Sequence, residues 1–154
     1  MDEKLKALID TAIRREEDAY VFYKDLQERA ADAAVKDTLE YIADEEIKHK
    51  DFLVKYRDGG FDTQSLRMTE VAYYQIAEYQ EEPEVDENMS SADIYLVASH
   101  RELRSNKFYT ELANLQTDAE AKSMLLKMAN EELKHKEKME YLYTNAAFPQ
   151  TSGG

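Results

Sequence analysis

Apolar residues recur every three or four positions along four stretches of this chain, and charged residues occupy most of the positions between them. Residues with this spacing lie on one face of a helix, so the pattern is typical of amphipathic helices that pack together in a bundle. It predicts helices over roughly residues 3–30, 33–57, 91–115 and 118–145. The predicted fold class is therefore all-α.

The inner face of each predicted helix combines apolar residues with a few ionisable ones. The four faces are formed by Ile9, Ala12, Glu16, Ala19, Tyr23, Leu26 and Ala30; by Leu39, Ile42, Glu46, His49, Leu53 and Tyr56; by Tyr95, Ala98, Glu102, Ser105, Tyr109 and Leu112; and by Leu125, Met128, Glu132, His135, Met139 and Leu142. A plain hydrophobic core does not need glutamate or histidine at such positions, so these residues are candidates for a function.

Local signals mark several of the predicted helix boundaries. Residues 90–93 (Ser-Ser-Ala-Asp) and 117–120 (Thr-Asp-Ala-Glu) resemble capping boxes, and Gly59 with Gly60 follows the second helix. Residues 58–90 form a long connection between the second and third long helices, and a short helix is predicted somewhere between Leu66 and Tyr79. A connection of this length allows a crossover between two helical hairpins.

The chain contains an internal duplication, which is seen when residues 10–56 are aligned without gaps on residues 96–142. The identical pairs are Ala12/Ala98, Arg15/Arg101, Glu16/Glu102, Phe22/Phe108, Tyr23/Tyr109, Leu26/Leu112, Asp32/Asp118, Ala33/Ala119, Lys36/Lys122, Leu39/Leu125, Ala43/Ala129, Glu45/Glu131, Glu46/Glu132, Lys48/Lys134, His49/His135 and Lys50/Lys136. Each copy is a helical hairpin. Because two copies are too few for a solenoid, two hairpins closing on each other form the simplest predicted architecture.

Composition excludes some classes of function but does not identify the function. The chain has 154 residues, 34% of them charged, with 4 Gly, 2 Pro and no Cys, which favours a helical globular protein without disulfides or thiolate chemistry. The net charge of -13 argues against binding to nucleic acid or an anionic membrane. No signal peptide or membrane span is predicted, and a cytoplasmic location is expected.

The same set of metal-ligand residues occurs in both copies. One glutamate precedes a Glu-x-x-His motif by thirty residues in each copy, giving Glu16, Glu46 and His49 in the first and Glu102, Glu132 and His135 in the second. Residues three apart on a helix point in the same direction, so Glu-x-x-His delivers an oxygen and a nitrogen to one site. The set matches the general scheme for two metal ions held in a four-helix bundle.

Two divalent cations would neutralise four buried carboxylates, and this balance favours the metal interpretation. The alternative is a metal-free helical interaction module whose glutamates are protonated or reach solvent. Glu17 is expected to be solvated, as are Glu45 and Glu131, although the last two remain substitute ligands. His100 lies off the inner face and is expected at the surface.

Tyr23 and Tyr109 lie two turns beyond Glu16 and Glu102 on the same faces. They are predicted to donate hydrogen bonds to the metal-binding carboxylates; plain core packing and redox activity are the alternatives. Oxygen and imidazole ligands without sulfur suit iron, manganese or zinc. A redox function favours two iron ions, with manganese second and zinc as a substitute.

These motifs resemble those of the ferritin-like diiron superfamily and, within it, those of the rubrerythrins. The resemblance covers about residues 5–145 and includes the Phe-Tyr pairs that follow Glu16 and Glu102. It implies a ferritin-like four-helix bundle over residues 1–147; residues 148–154 are predicted from the sequence to form a flexible tail. It also implies that Glu46 and Glu132 bridge the metals, that Glu16 and His49 complete one ion, and that Glu102 and His135 complete the other.

The resemblance further implies an enzyme that reduces peroxide or dioxygen at a diiron centre. Rubrerythrins usually carry a Cys-rich electron-transfer domain, whereas this chain has no Cys, so a separate donor protein is expected. Ser105 stands where rubrerythrins have an additional glutamate. The six remaining ligands equally suit an iron-oxidising or iron-storage protein, or a manganese catalase. A homodimer is expected by analogy with the family.

Overall fold

A computed structural model describes residues 2–59, 71 and 74–148 of the chain. Within these ranges the structure is all-α and contains no strand, which confirms the predicted fold class. The helices are α1 (Glu3–Arg29), α2 (Ala33–Arg57), α3 (Ile76–Tyr79), α4 (Ser91–Asn114) and α5 (Ala119–Ala147). The four long helices begin and end within about two residues of their predicted limits, a difference that the fraying of helix ends makes unimportant.

The predicted short helix is α3, at the C-terminal end of the segment in which it was expected. Most of the remainder of that segment, Gly60 and residues 149–154 of the predicted tail lie outside the described residues. Gly59 directly follows the cap of α2 with a φ of +84°, a left-handed conformation that glycine adopts without strain.

The chain divides into two compact units, and the first consists of the α1–α2 hairpin. Every residue predicted for the inner faces of these two helices is buried. Arg57, the last residue of α2, links the two helices: its Nη1 donates a 2.8 Å hydrogen bond to Asp10 Oδ1 on α1. This bond, with a second to Asp58, raises the pKa of Arg57 above its usual value.

The second unit contains α3, α4 and α5, with α4 and α5 forming the second hairpin. Asn106 Nδ2 on α4 donates a 2.8 Å hydrogen bond to the carbonyl oxygen of Ala129 on α5. Arg104 pairs through both terminal nitrogens with Glu82, at 2.7 and 3.2 Å, and so attaches the preceding connection to α4. The predicted inner faces are buried here too, except that Ser105 and Leu142 are only half-buried.

The N-terminal part of α4 is buried on every side. Six consecutive residues, 94–99, are at most 5% exposed, although the periodic pattern predicted only Tyr95 and Ala98 on the inner face. Successive helical residues are about 100° apart, so one neighbouring helix cannot cover all six. The short helix α3 is a further element that contacts α4. The four-residue α3 therefore has a packing role that its length does not suggest.

Aspartate caps explain one of the identical pairs in the duplication. Asp32 caps α2 by accepting hydrogen bonds from the amides of Ala34 and Val35, and Asp118 caps α5 by accepting one from Ala121. The prediction that Thr117 opens a capping box was therefore wrong by one residue, because the carboxylate of Asp118 takes the capping position. The predicted cap at Ser90 is confirmed by a 3.1 Å bond from the amide of Asp93.

We predict that Asp32→Ala lowers the free energy of unfolding by about 1 kcal/mol, because it leaves the first amides of α2 without their acceptor. Asp37→Ala, an exposed position in the same helix that caps nothing, is the control and should change stability by less than about 0.5 kcal/mol. Urea unfolding followed by circular dichroism measures both. Equal losses in the two variants would contradict the role of Asp32.

Candidate metal centre

The first hairpin brings Glu16, Glu46 and His49 together. Glu16 lies in the middle of α1, and α2 presents the other two residues one turn apart on the facing side. Each residue offers a ligand atom within 4.8 Å of the others, and His49 Nδ1 lies 3.8 Å from Glu16 Oε1. The three residues are only 2%, 1% and 5% exposed. We call this cluster half-site 1.

The second hairpin repeats the arrangement with Glu102 on α4 and with Glu132 and His135 on α5. Their ligand atoms also lie within 4.8 Å of one another, and His135 Nδ1 is 3.6 Å from Glu102 Oε1. All three residues are buried. We call this cluster half-site 2. The two half-sites have the same chemistry, the same position in their hairpins and nearly the same geometry.

Both half-sites fit a divalent metal ion. Carboxylate oxygens and imidazole nitrogens bind such ions at about 2.0–2.2 Å, so donors around one ion lie no more than about 4.4 Å apart. In each half-site the donor atoms lie within 4.8 Å of one another, which is close to that limit. Small side-chain movements would therefore bring them to binding distance of one ion. Two carboxylates and one neutral imidazole carry a charge of about -2, which one divalent ion balances. The structure thus brings together the three predicted ligand residues of each hairpin.

The acidic residues beside the ligands lie close to lysines. Glu45 lies 3.9 Å from Lys48, and Glu131 lies 2.9 Å from Lys134, in equivalent positions of the two copies. Glu17 is about half exposed and pairs with Lys50. None of these acidic residues belongs to a potential metal cluster among the residues that the structure describes. Glu17 is solvated as expected, whereas the side chains of Glu45 and Glu131 are only 22% and 18% exposed, so the expectation that these two are solvated was wrong.

Tyr23 and Tyr109 are fully buried. Each packs edge-on against the preceding phenylalanine, with ring centroids 5.4 Å apart for Phe22–Tyr23 and 5.3 Å apart for Phe108–Tyr109. The matched geometry shows that the duplication preserves this aromatic pair as well as the ligands. The proposed hydrogen bonds from these tyrosines to the carboxylates remain a prediction.

His100 and two other buried polar residues differ from the sequence-based expectation. His100 is only partly exposed, and its Nε2 is buried, so the expectation of a surface residue was wrong. Lys136 and Glu140 are 4% and 1% exposed, and sequence reasoning did not identify them as buried. Their spacing of four residues indicates a helical ion pair, but the usual place for such a pair is the solvent-exposed face.

Paired long helices that carry duplicated, buried Glu-Glu-His clusters define a helical protein with two candidate metal-binding clusters. The rubrerythrin family model matches residues 7–143, which is most of the chain, and the protein therefore belongs to the rubrerythrin family of the ferritin-like superfamily. A hypothetical protein from Pyrococcus furiosus is similar in structure, with a TM-score of 0.65 and 25% identity over 96% of this chain and 92% of that one. No curated protein sequence matches the chain significantly.

The described part of the chain contains no helix of the length and apolar character that crossing a membrane requires.

We predict that Glu46→Ala and His135→Ala reduce metal content below two ions per chain and lower the thermal stability of protein supplied with metal. A ligand present at 100 times its dissociation constant stabilises the folded state by about 2.7 kcal/mol, and losing a ligand residue removes part of that gain. Glu131→Ala, which removes a carboxylate next to Glu132 but outside half-site 2, is the matched control. If Glu46→Ala or His135→Ala keeps two metals, the ligand assignment is wrong.

Proposed function

We propose that the protein is a diiron oxidoreductase that reduces peroxide or dioxygen with electrons from an external donor. The observation that carries this proposal is the duplicated Glu-Glu-His cluster, buried at equivalent positions in both hairpins of a rubrerythrin-family chain. Buried carboxylates without a cation are costly, so their retention in both copies favours a functional metal centre over a purely structural role.

We propose further that the six residues would hold two divalent ions, one in each half-site. The duplication supports this arrangement, since each copy supplies the same set of ligand residues. Glu16, Glu46 and His49 would hold one ion, and Glu102, Glu132 and His135 would hold the other. Together the four carboxylates and two divalent cations are electrically neutral.

Iron is the metal that best fits both the ligands and the proposed reaction. The donor set contains only oxygen and nitrogen, which also permits manganese and zinc; because zinc is not redox-active, manganese is the second choice. Bound iron would supply the redox equivalents and act as a Lewis acid. The chain's own residues would hold the metals in a water-poor interior, and Tyr23 and Tyr109 would donate hydrogen bonds to the carboxylates.

Electrons would come from a separate donor protein, because the chain has no Cys and so no thiolate-bound iron of its own. We also propose that the protein acts in the cytoplasm as a homodimer, by analogy with its family. The acidic net charge of -13 makes nucleic acid an unfavourable partner.

A second candidate function is iron oxidation with storage or transfer and little turnover. Ser105 favours this candidate, because rubrerythrins have a further glutamate at this position one turn after the α4 ligand. Ser105 is half-buried and offers only a hydroxyl, a weaker metal ligand than a carboxylate. In this case Fe(II) itself would be the reductant, and the same six ligands would bind it.

Stopped-flow absorption of Fe(II)-loaded protein mixed with hydrogen peroxide distinguishes the two functions. If the protein is the enzyme, we expect rapid oxidation of the bound Fe(II), followed by repeated cycles when a chemical reductant is supplied. Several peroxide molecules should then be consumed per iron pair. If it is the storage protein, we expect a single stoichiometric oxidation of the bound Fe(II) that then stops. Glu131→Ala should behave like the wild type, and His135→Ala should oxidise Fe(II) at least about tenfold more slowly. Wild-type protein that oxidises no Fe(II) would contradict both functions.

We predict that Tyr109→Phe keeps two metal ions and unfolds with a free energy within about 1.5 kcal/mol of the wild type, since only one hydroxyl is lost. If the hydroxyl supports a metal-binding carboxylate, the visible spectrum of the oxidised iron centre should shift. Phe108→Leu, which alters the adjacent ring and leaves the hydroxyl in place, is the control. An unchanged spectrum in Tyr109→Phe would leave the tyrosine with a packing role only.

A further inference from the structure

The two lysines that follow the metal-binding histidines have different surroundings, although they are equivalent in the duplication. Lys50 follows His49 in half-site 1, and its side chain is 33% exposed and lies 3.5 Å from the half-exposed Glu17. Lys136 follows His135 in half-site 2, and its side chain is only 5% exposed. Its Nζ lies 2.8 Å from Glu78 Oε1 and 2.8 Å from Glu140 Oε1.

Glu140 attaches α3 to α5. Its Oε1 accepts hydrogen bonds from Lys136 Nζ and, at 2.9 Å, from the backbone amide of Ala77 in the first turn of α3. The residue before α3, Gln75, has a left-handed φ of 56° and makes no side-chain capping bond. A carboxylate from another helix thus performs the function of an N-cap. We call Glu78, Lys136 and Glu140 the α3 clamp.

The first copy has a different residue at the central position of the clamp. Val54 aligns with Glu140, so the equivalent turn of α2 has an apolar side chain in place of the buried carboxylate. Because a buried ion pair is retained only when its geometry is favourable, a clamp present in one copy of a duplication indicates a role specific to that copy.

The clamp lies on the turns of α5 that follow the ligand His135. Lys136 and Glu140 are one and five residues further along, a rise of at most about 7.5 Å. Holding these turns against α3 restricts the backbone that carries His135 and Glu132, so less conformational freedom remains to be lost when a metal binds. The clamp also has a net charge of about -1, and Glu140 Oε2 is buried without a hydrogen bond among the described residues. This charge attracts a cation.

We propose that the α3 clamp positions the ligands of half-site 2, so that this half-site binds the first of two divalent ions and binds it more tightly than half-site 1. The inference rests on the proposed metal-binding function and adds an order of loading and a difference in affinity. The clamp residues are positioning residues, since they contact the helix that carries the ligands and do not themselves bind the metal.

Titration of the full metal-free chain with Co(II), followed by visible absorption, tests the proposal. His49→Ala leaves half-site 2 intact, and His135→Ala leaves half-site 1 intact. We expect His49→Ala to bind its ion at least about tenfold more tightly than His135→Ala does. Equal affinities, or tighter binding by His135→Ala, would overturn the inference. A wild-type chain that binds no Co(II) would overturn the proposed function itself, and the two failures are thus distinguishable.

The role of the clamp is tested by adding Lys136→Met together with Glu140→Val to the His49→Ala chain. Apolar replacement of a buried ion pair commonly preserves folding, and valine is the residue that the first copy has at this position. We expect a loss of affinity of about tenfold or more, which would remove the advantage of half-site 2. Lys50→Met in the His135→Ala chain is the matched control and should leave the affinity within about twofold. Undiminished affinity in the clamp variant contradicts the proposal.

Glu140→Gln provides a second variant that keeps the size and the amide contact of the side chain but removes its charge. Added to the His49→Ala chain, it should weaken Co(II) binding while the helical circular dichroism signal stays unchanged. A purely structural role for Glu140 would alter unfolding without altering the affinity of half-site 2. Unchanged affinity in both Glu140→Gln and the double clamp variant would therefore rule out positioning.

Discussion

The burial of two carboxylates beside one imidazole in each hairpin is the constraint on which the rest of the structure depends. An ionised carboxylate removed from water costs several kcal/mol unless a cation or hydrogen bonds compensate it. Glu46 and Glu132 are 1% and 0% exposed, so the protein accepts this cost at the centre of both hairpins. A bound divalent ion would compensate the buried charge, and the buried carboxylates would in turn bind the ion tightly. The metal interpretation therefore explains the burial most simply.

The duplication extends from the ligands to the features that support them. Both second helices begin at an aspartate cap, and both first helices carry a Phe-Tyr pair with the same edge-on geometry. Asymmetry enters through the connection, where α3 contacts α4 and is attached to α5 by Glu140. The two hairpins therefore share the chemistry of their ligands but differ in how firmly one ligand helix is held.

Helical periodicity and motif spacing predicted the four long helices and which candidate ligand residues lie close together within each hairpin. These features depend on local regularities, which a single sequence displays directly. The burial of Lys136 and Glu140, the complete burial of residues 94–99 and the partial burial of His100 were not predicted. Lys136 and Glu140 are buried by contacts with α3, about sixty residues earlier in the chain, and periodicity does not encode such contacts.

Anomalous X-ray diffraction at the iron edge, from crystals of iron-loaded protein, tests the central claim most directly. The account predicts two peaks per chain, one within about 2.2 Å of the carboxylate and imidazole donors of Glu16, Glu46 and His49, and one at the same distance from those of Glu102, Glu132 and His135. Peaks confined to surface carboxylates, or half-sites that stay without anomalous signal at saturating iron, would contradict it.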